Sequence, residues 1–308
     1  MRVAVIGVGH LGRHHARILA AMPGIDLVGV ADMNPARARE VADTHGIAVI
    51  ENTASLPGTV DAVVVATPTA SHAAVAMPFL AAGTAVLVEK PLARTLAEAD
   101  EIVSLARRRH ATLAVGHTER FNPAVAAARP LLTSPRFIEC HRLGTFPDRS
   151  LDIDVVFDLM IHDLDVVLSV IGSPVAAIDA VGVPVLTPKI DIANVRLRFE
   201  SGCIVNLTAS RISRDRTRKI RVFQPDSYVA VDYAAQELEV WRLVRPAAGL
   251  PAIEGGSVSV ARDEPLKREL EDFIAAARDG REPEVTGEDG RRALALAQQI
   301  TEQMTSVN

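Results

Sequence analysis

The chain is poor in cysteine, in aromatic side chains and in long apolar runs. Its 308 residues include two cysteines, Cys140 and Cys203, and 4% aromatic residues. The two cysteines have no metal-ligand spacing, so we expect reduced thiols in a cytoplasmic protein, although the sequence leaves one disulfide bridge open. No apolar run approaches the roughly 20 residues that span a bilayer, and we therefore predict no membrane partner.

The chain also lacks an excess of positive charge. Lysine and arginine together number 33 against 38 aspartate and glutamate residues, which gives a net charge of −5. This balance predicts no nucleic-acid partner. The sequence enters a strand pattern at residues 2–6, so we expect no signal peptide.

The first 120 residues alternate short apolar runs with amphipathic patterns. The apolar runs predict buried parallel strands at 3–6, 25–31, 62–66, 84–88 and 112–115. The amphipathic patterns predict helices at 11–21, 35–44, 71–82 and 96–107. Because this rhythm is typical of βαβ units, we predict an α/β domain over residues 1–120 with a doubly wound parallel sheet.

After residue 122 the rhythm changes to strands in series. We predict strands at 136–143, 175–183, 193–199, 203–210, 219–224, 228–232 and 238–243. We predict helices at 123–132, 155–171, 265–279 and 290–305, and a loop at 250–263. The pattern favours an α+β domain over residues 121–308, with an open, mostly antiparallel sheet and helices on one face.

Three glycines, Gly7, Gly9 and Gly12, lie between the first strand and the first helix. In this context the spacing predicts a Rossmann dinucleotide site. Gly7 permits a tight turn, Gly9 lets a pyrophosphate approach the backbone, and Gly12 lets helix and strand pack closely. We expect the intervening His10 and Leu11 to contact the cofactor as well.

Asp32 ends the second predicted strand, where a carboxylate accepts hydrogen bonds from the hydroxyls of the adenine ribose. Its charge repels a 2′-phosphate, and the nearest cation, Arg37, lies a turn into the next helix. The sequence therefore favours NAD over NADP. The alternative is a structural glycine turn beside a solvated Asp32.

A second set of candidates follows the third and fourth predicted strands. Thr67 and Pro68 are expected beside the nicotinamide half of the cofactor, together with His72, although Thr67 is equally suited to capping a helix. We expect Glu89 and Lys90 to contact the cofactor as well, because they stand at the carboxyl end of the strand at 84–88, the edge of a parallel sheet where ligands bind. Partial desolvation there lowers the pKa of a lysine toward useful values.

The second domain supplies further candidates. Asp158 and His162 are four residues apart, so a helix places them on one face, where they form either a reactive pair or a structural one. His117 and Arg120 follow the strand at 112–115 and are predicted to contact substrate. Basic residues surround a turn and either bind a diphosphate or face solvent, namely Arg211, Arg214, Arg216, Arg218 and Lys219.

In this order, the glycine loop, Asp32, the run Glu89-Lys90-Pro91 and the Asp158…His162 helix resemble the Gfo/Idh/MocA family of oxidoreductases. The resemblance covers nearly the whole chain and implies that Lys90, Asp158 and His162 form a catalytic set. Many members carry glycine where this chain has Met160, which implies a bulkier wall near the substrate. The runs 158–165 and 206–211 resemble a branch that is implied to oxidise the 3-hydroxyl of UDP-N-acetylglucosamine with NAD.

Oxidation of a secondary alcohol requires a base and a hydride acceptor. We expect His162 to accept the proton, Asp158 to orient it, and Lys90 to stabilise the developing alkoxide, with exchanged roles for Lys90 and His162 left open. No metal is expected. A dehydrogenase of a free sugar or inositol and a non-catalytic dinucleotide sensor are the alternative functions.

We also expect a homodimer or homotetramer. The strands at 193–199 and 203–208 place apolar side chains at alternate positions, and one face of the sheet has no predicted helix over it. The family resemblance implies the same states.

Overall fold

The chain folds into two compact units. A computed structural model describes residues 1–146, 153–246 and 250–305. The first unit contains Met1–Thr118 and Leu266–Leu294, and the second contains Glu119–Pro265 and Ala295–Asn308. The predicted domains, 1–120 and 121–308, do not include this return of residues 266–294 to the first unit.

The first unit holds a six-stranded parallel sheet. Its strands are β1 (Arg2–Ile6), β2 (Asp26–Ala31), β3 (Ala48–Val49), β4 (Ala62–Val65), β5 (Ala85–Glu89) and β6 (Leu113–Gly116). Its first four helices are α1 (Gly12–Ala21), α2 (Pro35–His45), α3 (His72–Ala81) and α4 (Leu96–Arg109). The spatial order β3-β2-β1-β4-β5-β6 confirms the predicted doubly wound sheet and is the Rossmann order.

Burial explains why these strands could be recognised. All residues of β4 and β5 are buried, as expected for central strands that have helices on both faces. The exception is β3, a two-residue strand that is exposed and has no apolar pattern to reveal it. Local signals set the helix ends: Asn34 caps the start of α2, and Gly46 ends it with a φ of 65°.

The second unit holds an eight-stranded mixed sheet. Its strands are β7 (Phe137–Leu143), β8 (Val175–Val183), β9 (Ile192–Phe199), β10 (Ile204–Ser210), β11 (Thr217–Phe223), β12 (Ser227–Asp232), β13 (Glu237–Val244) and β14 (Ala252–Val258). Its spatial order is β14-β13-β12-β11-β7-β10-β9-β8. Only β7 and β10 pair in parallel among these described strands, so the prediction of a mostly antiparallel sheet is confirmed.

Helices accompany both units. The second unit contains α5 (Pro123–Ala128) and α6 (Ile161–Val170), and the chain then continues into α7 (Pro265–Asp279) and α8 (Gly287–Thr305). The described helices include none that is both apolar enough and long enough to cross a membrane. Cys140 and Cys203 are both buried and unbridged.

Two predicted elements were wrong. The predicted loop at 250–263 contains β14, which pairs with β13 through Trp241 and Gly255 although its own residues are mostly exposed. With two glycines and no apolar alternation, β14 gives no strand pattern to read. The single helix predicted at 155–171 begins instead as a π turn, Val156–Met160, before α6.

The two faces of the sheet differ in polarity. On β9 the apolar positions Val195 and Leu197 are buried, whereas Arg196 and Arg198 are exposed. The apolar residues that were expected to join subunits therefore lie on the covered face, which corrects that argument. The open face carries aromatic side chains instead, with the ring of Phe223 5.5 Å from Phe137 and 5.0 Å from Tyr228.

Buried ion pairs connect α6 to its surroundings in the second unit. The guanidinium of Arg142 donates to both carboxylate oxygens of Asp163, at 2.7 and 2.9 Å, and to Glu119 at 2.8 Å. Arg142 also lies 5.0 Å from the ring centroid of Tyr233. Burial acts to lower the pKa of Arg142, but the charges of Asp163 and Glu119 outweigh it and raise that pKa well above its usual value.

Removal of one partner from this buried cluster should be costly. We expect Asp163→Asn to lower the free energy of unfolding by about 3–5 kcal/mol, because it leaves the Arg142 guanidinium enclosed with less compensating charge. Urea unfolding at neutral pH measures the change. Glu271→Gln is the control, since Glu271 and Lys267 form an exposed pair, and it should cost less than about 1 kcal/mol. Equal small losses would contradict the structural role of Asp163.

Candidate active site

The glycine loop between β1 and α1 is built without room for side chains at two positions. Gly7 has a φ of 87°, and a Cβ on it would lie 2.6 Å from the carbonyl oxygen of Ala66. A Cβ on Gly12 would lie 1.8 Å from the carbonyl oxygen of Gly7. Both positions therefore require glycine, for the reasons that the sequence predicted.

Gly9 is different, because a Cβ on it would meet no atom within 4 Å. The space beside it is open, and α1 begins next to it with no side-chain cap at Leu11. An uncapped helix N-terminus beside an open glycine suits the oxygens of a pyrophosphate. His10 is exposed and Leu11 is half-buried, so both can reach a ligand in this loop. The loop fits the diphosphate of NAD.

Asp32 is fixed next to this loop. Its carboxylate accepts hydrogen bonds from the backbone N–H of Val8 at 2.9 Å and of Asn34 at 2.8 Å. The guanidinium of Arg37 lies 3.7 Å away and is half exposed. Two amide bonds hold the carboxylate in place while it stays partly accessible, which suits acceptance of ribose hydroxyls.

His72 is enclosed by the protein, which does not suit the predicted contact with the cofactor. It is 1% exposed, and its ring nitrogens lie 2.9 Å from two backbone oxygens, Nδ1 from that of Pro91 and Nε2 from that of Thr67. Both nitrogens are occupied by the protein, so His72 joins two turns rather than binding the cofactor. Thr67 and Pro68 remain accessible beside it.

Lys90 and Glu89 differ sharply although they are neighbours. Lys90 is half-buried at the end of β5, whereas Glu89 is buried and receives a 2.6 Å hydrogen bond from Nε2 of His15. Burial acts to raise the pKa of Glu89, but the hydrogen bond and charge of His15, with smaller effects of Lys90 and His72, outweigh it and lower that pKa. The prediction that Glu89 contacts the cofactor is therefore corrected: its carboxylate faces inward.

His15, Glu89 and Glu269 form a buried cluster in the first unit. Among the described residues they are the one group whose nitrogen and oxygen atoms have metal-ligand spacing, within 4.8 Å of one another. Ligands about 2 Å from a tetrahedral ion are separated by roughly 3.3 Å. The 2.6 Å between His15 and Glu89 is shorter, so these two groups are arranged for a direct hydrogen bond.

The second unit presents Asp158 and His162 at partial exposure. Asp158 lies within the π turn and His162 in the first turn of α6. Single π turns are frequent at functional sites, and no sequence signal had indicated this one. Met160 is fully buried between them in sequence. It therefore forms part of the core, and the expected bulkier wall at the substrate is corrected.

Two further predicted substrate contacts are enclosed. His117 is 1% exposed at the end of β6 in the first unit. In the second unit Arg120 donates to the two oxygens of Asp165 at 2.9 and 3.5 Å, and both side chains are buried. A buried ion pair cannot give up one partner to a substrate without a large penalty. Neither residue fits the predicted role.

The residues of the basic turn differ in burial. Arg211 is 1% exposed and donates to Asp191, to Thr187 and to the carbonyl oxygen of Ile153, so the prediction that it binds substrate is corrected. Arg216 and Arg218 are exposed, and Arg216 donates to Thr145 at 3.3 Å. Although Arg218 reaches solvent, the partial desolvation of its guanidinium and the charge of Arg142 lower its pKa.

His15 is the residue that sequence reasoning missed. Its neighbours on the buried side of α1 are Ala16, Ile18 and Leu19. An imidazole on an otherwise apolar helix face, three residues after Gly12, was the available signal. A carboxylate partner could be identified only from the fold, because Glu89 lies 74 residues away in sequence.

Known proteins share the sequence patterns of both units. Residues 1–117 match the model of the oxidoreductase family with an NAD-binding Rossmann fold, and residues 134–225 match the C-terminal domain of the same Gfo/Idh/MocA family. The chain is 41% identical over 302 residues to UDP-N-acetylglucosamine 3-dehydrogenase of Acidithiobacillus ferrooxidans, covering 97% of this chain and 96% of that protein.

Other relatives extend the comparison. A solved structure of the Acidithiobacillus ferrooxidans enzyme matches with a TM-score of 0.93 and 39% identity, covering 99% of this chain and 98% of that one. Inositol 2-dehydrogenase of Rhizobium meliloti is 28% identical over 319 residues, covering 96% and 94%. With NAD as its cofactor, the chain belongs to the Gfo/Idh/MocA family of oxidoreductases.

Proposed function

We propose that this protein oxidises the 3-hydroxyl of UDP-N-acetylglucosamine, a small-molecule nucleotide-sugar substrate, with NAD. Full-length similarity to a dehydrogenase of that sugar supports the proposal. The observation that carries it is the accessibility of Lys90, Asp158 and His162. Two other predicted substrate contacts, Arg120 and Arg211, are buried in ion pairs. These three residues include the acid and base that alcohol oxidation needs.

Each residue has a defined part in the proposed reaction. Bound NAD supplies the nicotinamide carbon that accepts a hydride. His162 takes the hydroxyl proton, and Asp158 orients its imidazole. The Lys90 ammonium donates a hydrogen bond to the same oxygen and stabilises the charge that develops there. The basic residues Arg216 and Arg218 hold the diphosphate of the nucleotide.

The catalytic residues can be tested by substitution. We expect Lys90→Met and His162→Asn each to lower kcat by about 10²–10⁴-fold, the usual contribution of a positioned acid–base group. NAD affinity, measured by fluorescence titration, should change little. Because the two residues act as a unit, the double variant should lose much less than the product of the single losses. Unchanged turnover in both single variants would contradict the mechanism.

The substrate can be tested by measuring NADH formation with UDP-N-acetylglucosamine, UDP-glucose, free N-acetylglucosamine and myo-inositol. We expect the UDP-sugar to react fastest. Replacement of Arg216 and Arg218 by glutamine should raise KM for the UDP-sugar at least tenfold, about 1.4 kcal/mol, and leave KM for NAD unchanged. The same substitution at exposed Arg196 is the control. NADH formation with inositol alone would favour an inositol dehydrogenase.

The protein is further proposed to act in the cytoplasm, without nucleic acid or membrane as partner. Two buried, unbridged thiols support a reducing compartment. A net charge of −5 gives no electrostatic reason for nucleic-acid binding.

Two or four copies are proposed to associate through the open face of the sheet in the second unit. The aromatic cluster Phe137, Phe223 and Tyr228 supports this, as does Trp241, which is 38% exposed. Such side chains are enriched in interfaces between subunits.

Sedimentation velocity at micromolar concentration should therefore show an oligomer. Trp241→Glu should shift it toward monomer, because a charge would be buried at the interface. Val49→Glu is the matched control, since Val49 is 37% exposed in the first unit. A monomeric wild-type protein would contradict this assembly.

A further inference from the structure

Two buried histidines of the first unit hold the residues on either side of Lys90. Nε2 of His15 lies 2.6 Å from the carboxylate of Glu89, the residue before Lys90. Nδ1 of His72 lies 2.9 Å from the carbonyl oxygen of Pro91, the residue after it. The short segment that carries the lysine is thus held by side chains from two different helices, α1 and α3.

Neither histidine can act on a ligand directly. His15 is 0% exposed and His72 is 1% exposed. His72 uses both ring nitrogens on backbone carbonyl oxygens. His15 uses Nε2 alone, since its buried Nδ1 has no hydrogen-bond partner in the described part of the chain. Any influence on chemistry must therefore pass through the backbone that they hold, which is the segment at 89–91 and, for His72, also the turn at Thr67.

The apolar surroundings strengthen these polar contacts and raise the cost of leaving a polar group without a partner. Around His15 the core contains Ala16, Ile18 and Leu19, and the buried carboxylate of Glu269 from α7 also approaches the cluster. A charged hydrogen bond in so apolar a place is worth more than at the surface, while an unmet polar group costs more. Apolar side chains would fill the same space without this risk.

The same contacts reach the cofactor loop. His15 follows the glycine loop directly on α1, and His72 also bonds the carbonyl oxygen of Thr67, in the turn after β4. The two histidines therefore connect α1 and the turn after β4 to the residues on either side of Lys90. The backbone N–H of Lys90 itself lies 3.3 Å from the Glu89 carboxylate.

We propose that His15 and His72 are positioning residues that fix the segment at 89–91 and so set the direction of the Lys90 ammonium. The proposal rests on the proposed function in taking Lys90 as a group that contacts the reacting oxygen. Positioning errors of about 1 Å can cost roughly 10²-fold in rate, so loss of either contact should affect turnover.

Substitution by glutamine or asparagine tests the proposal, because the tolerated amide differs between positions 15 and 72. Glutamine places its amide nitrogen near the Nε2 position of histidine, and asparagine places its own near Nδ1, and both donate hydrogen bonds. His15→Gln should keep the bond to Glu89, whereas His15→Asn should lose it. His72→Asn should keep the bond to Pro91, whereas His72→Gln should lose it.

We expect His15→Asn and His72→Gln to lower kcat by about 10–100-fold, with less than a threefold change in the Kd for NAD. His15→Gln and His72→Asn should stay within about threefold of wild type. His45→Gln is the control, because His45 lies at the end of α2, away from this network. Equal kcat per folded protein in all four variants would overturn the proposal.

A second readout does not depend on activity. The chain has four lysines, Lys90, Lys189, Lys219 and Lys267. Acetylation by acetic anhydride, followed by peptide mass spectrometry, gives the reactivity of Lys90 relative to the other three, which are exposed. In His15→Asn and His72→Gln this ratio should change more than threefold. An unchanged ratio in both variants would also overturn the proposal.

The two proposals fail in different ways. If Lys90→Met retains full turnover, the proposed mechanism is wrong whatever the histidine variants do. If Lys90→Met is inactive while His15→Asn and His72→Gln show wild-type kcat and lysine reactivity, only the positioning role is wrong.

Discussion

Pairing of buried charge determines which ionisable side chains this fold leaves for chemistry. In the second unit Asp165 holds Arg120 and Asp191 holds Arg211, both inside the core. An unpaired charge there would cost several kcal/mol, so these arginines are committed to the fold. Lys90 and His162, the groups proposed to act on substrate, are half-buried. The proposed reactive groups therefore differ from the structural arginines in how far the protein encloses them.

Periodicity made most of the fold predictable. Central strands such as β4 and β5 are almost entirely apolar because both of their faces are covered. Three glycines at this spacing, between a strand and a helix, indicate a dinucleotide-binding turn. Strands that are stabilised by backbone hydrogen bonds rather than by burial of side chains could not be predicted from the sequence. The exposed strand β14 is defined by its backbone bonds to β13, and its sequence records little of them.

The structure encloses several predicted contacts through partners that lie far away in the sequence. Arg120, His72 and Glu89 all stand at sheet edges where ligands commonly bind, so position alone favoured contact with a ligand. Their partners Asp165, Pro91 and His15 lie 45, 19 and 74 residues away. Sequence position at a sheet edge indicates that a polar group is needed there, without indicating which way it faces.

The run Glu89-Lys90-Pro91 shows how one strand end can supply both a buried structural group and an accessible polar group. Successive side chains of a strand point to opposite faces, so a carboxylate directed into the core places the next side chain on the other side. Glu89 is held inside by His15, and Lys90 is then left half-buried at the edge. A change in the buried anchor should therefore shift the backbone from which the Lys90 side chain starts, because one planar peptide unit joins the Cα atoms of Glu89 and Lys90.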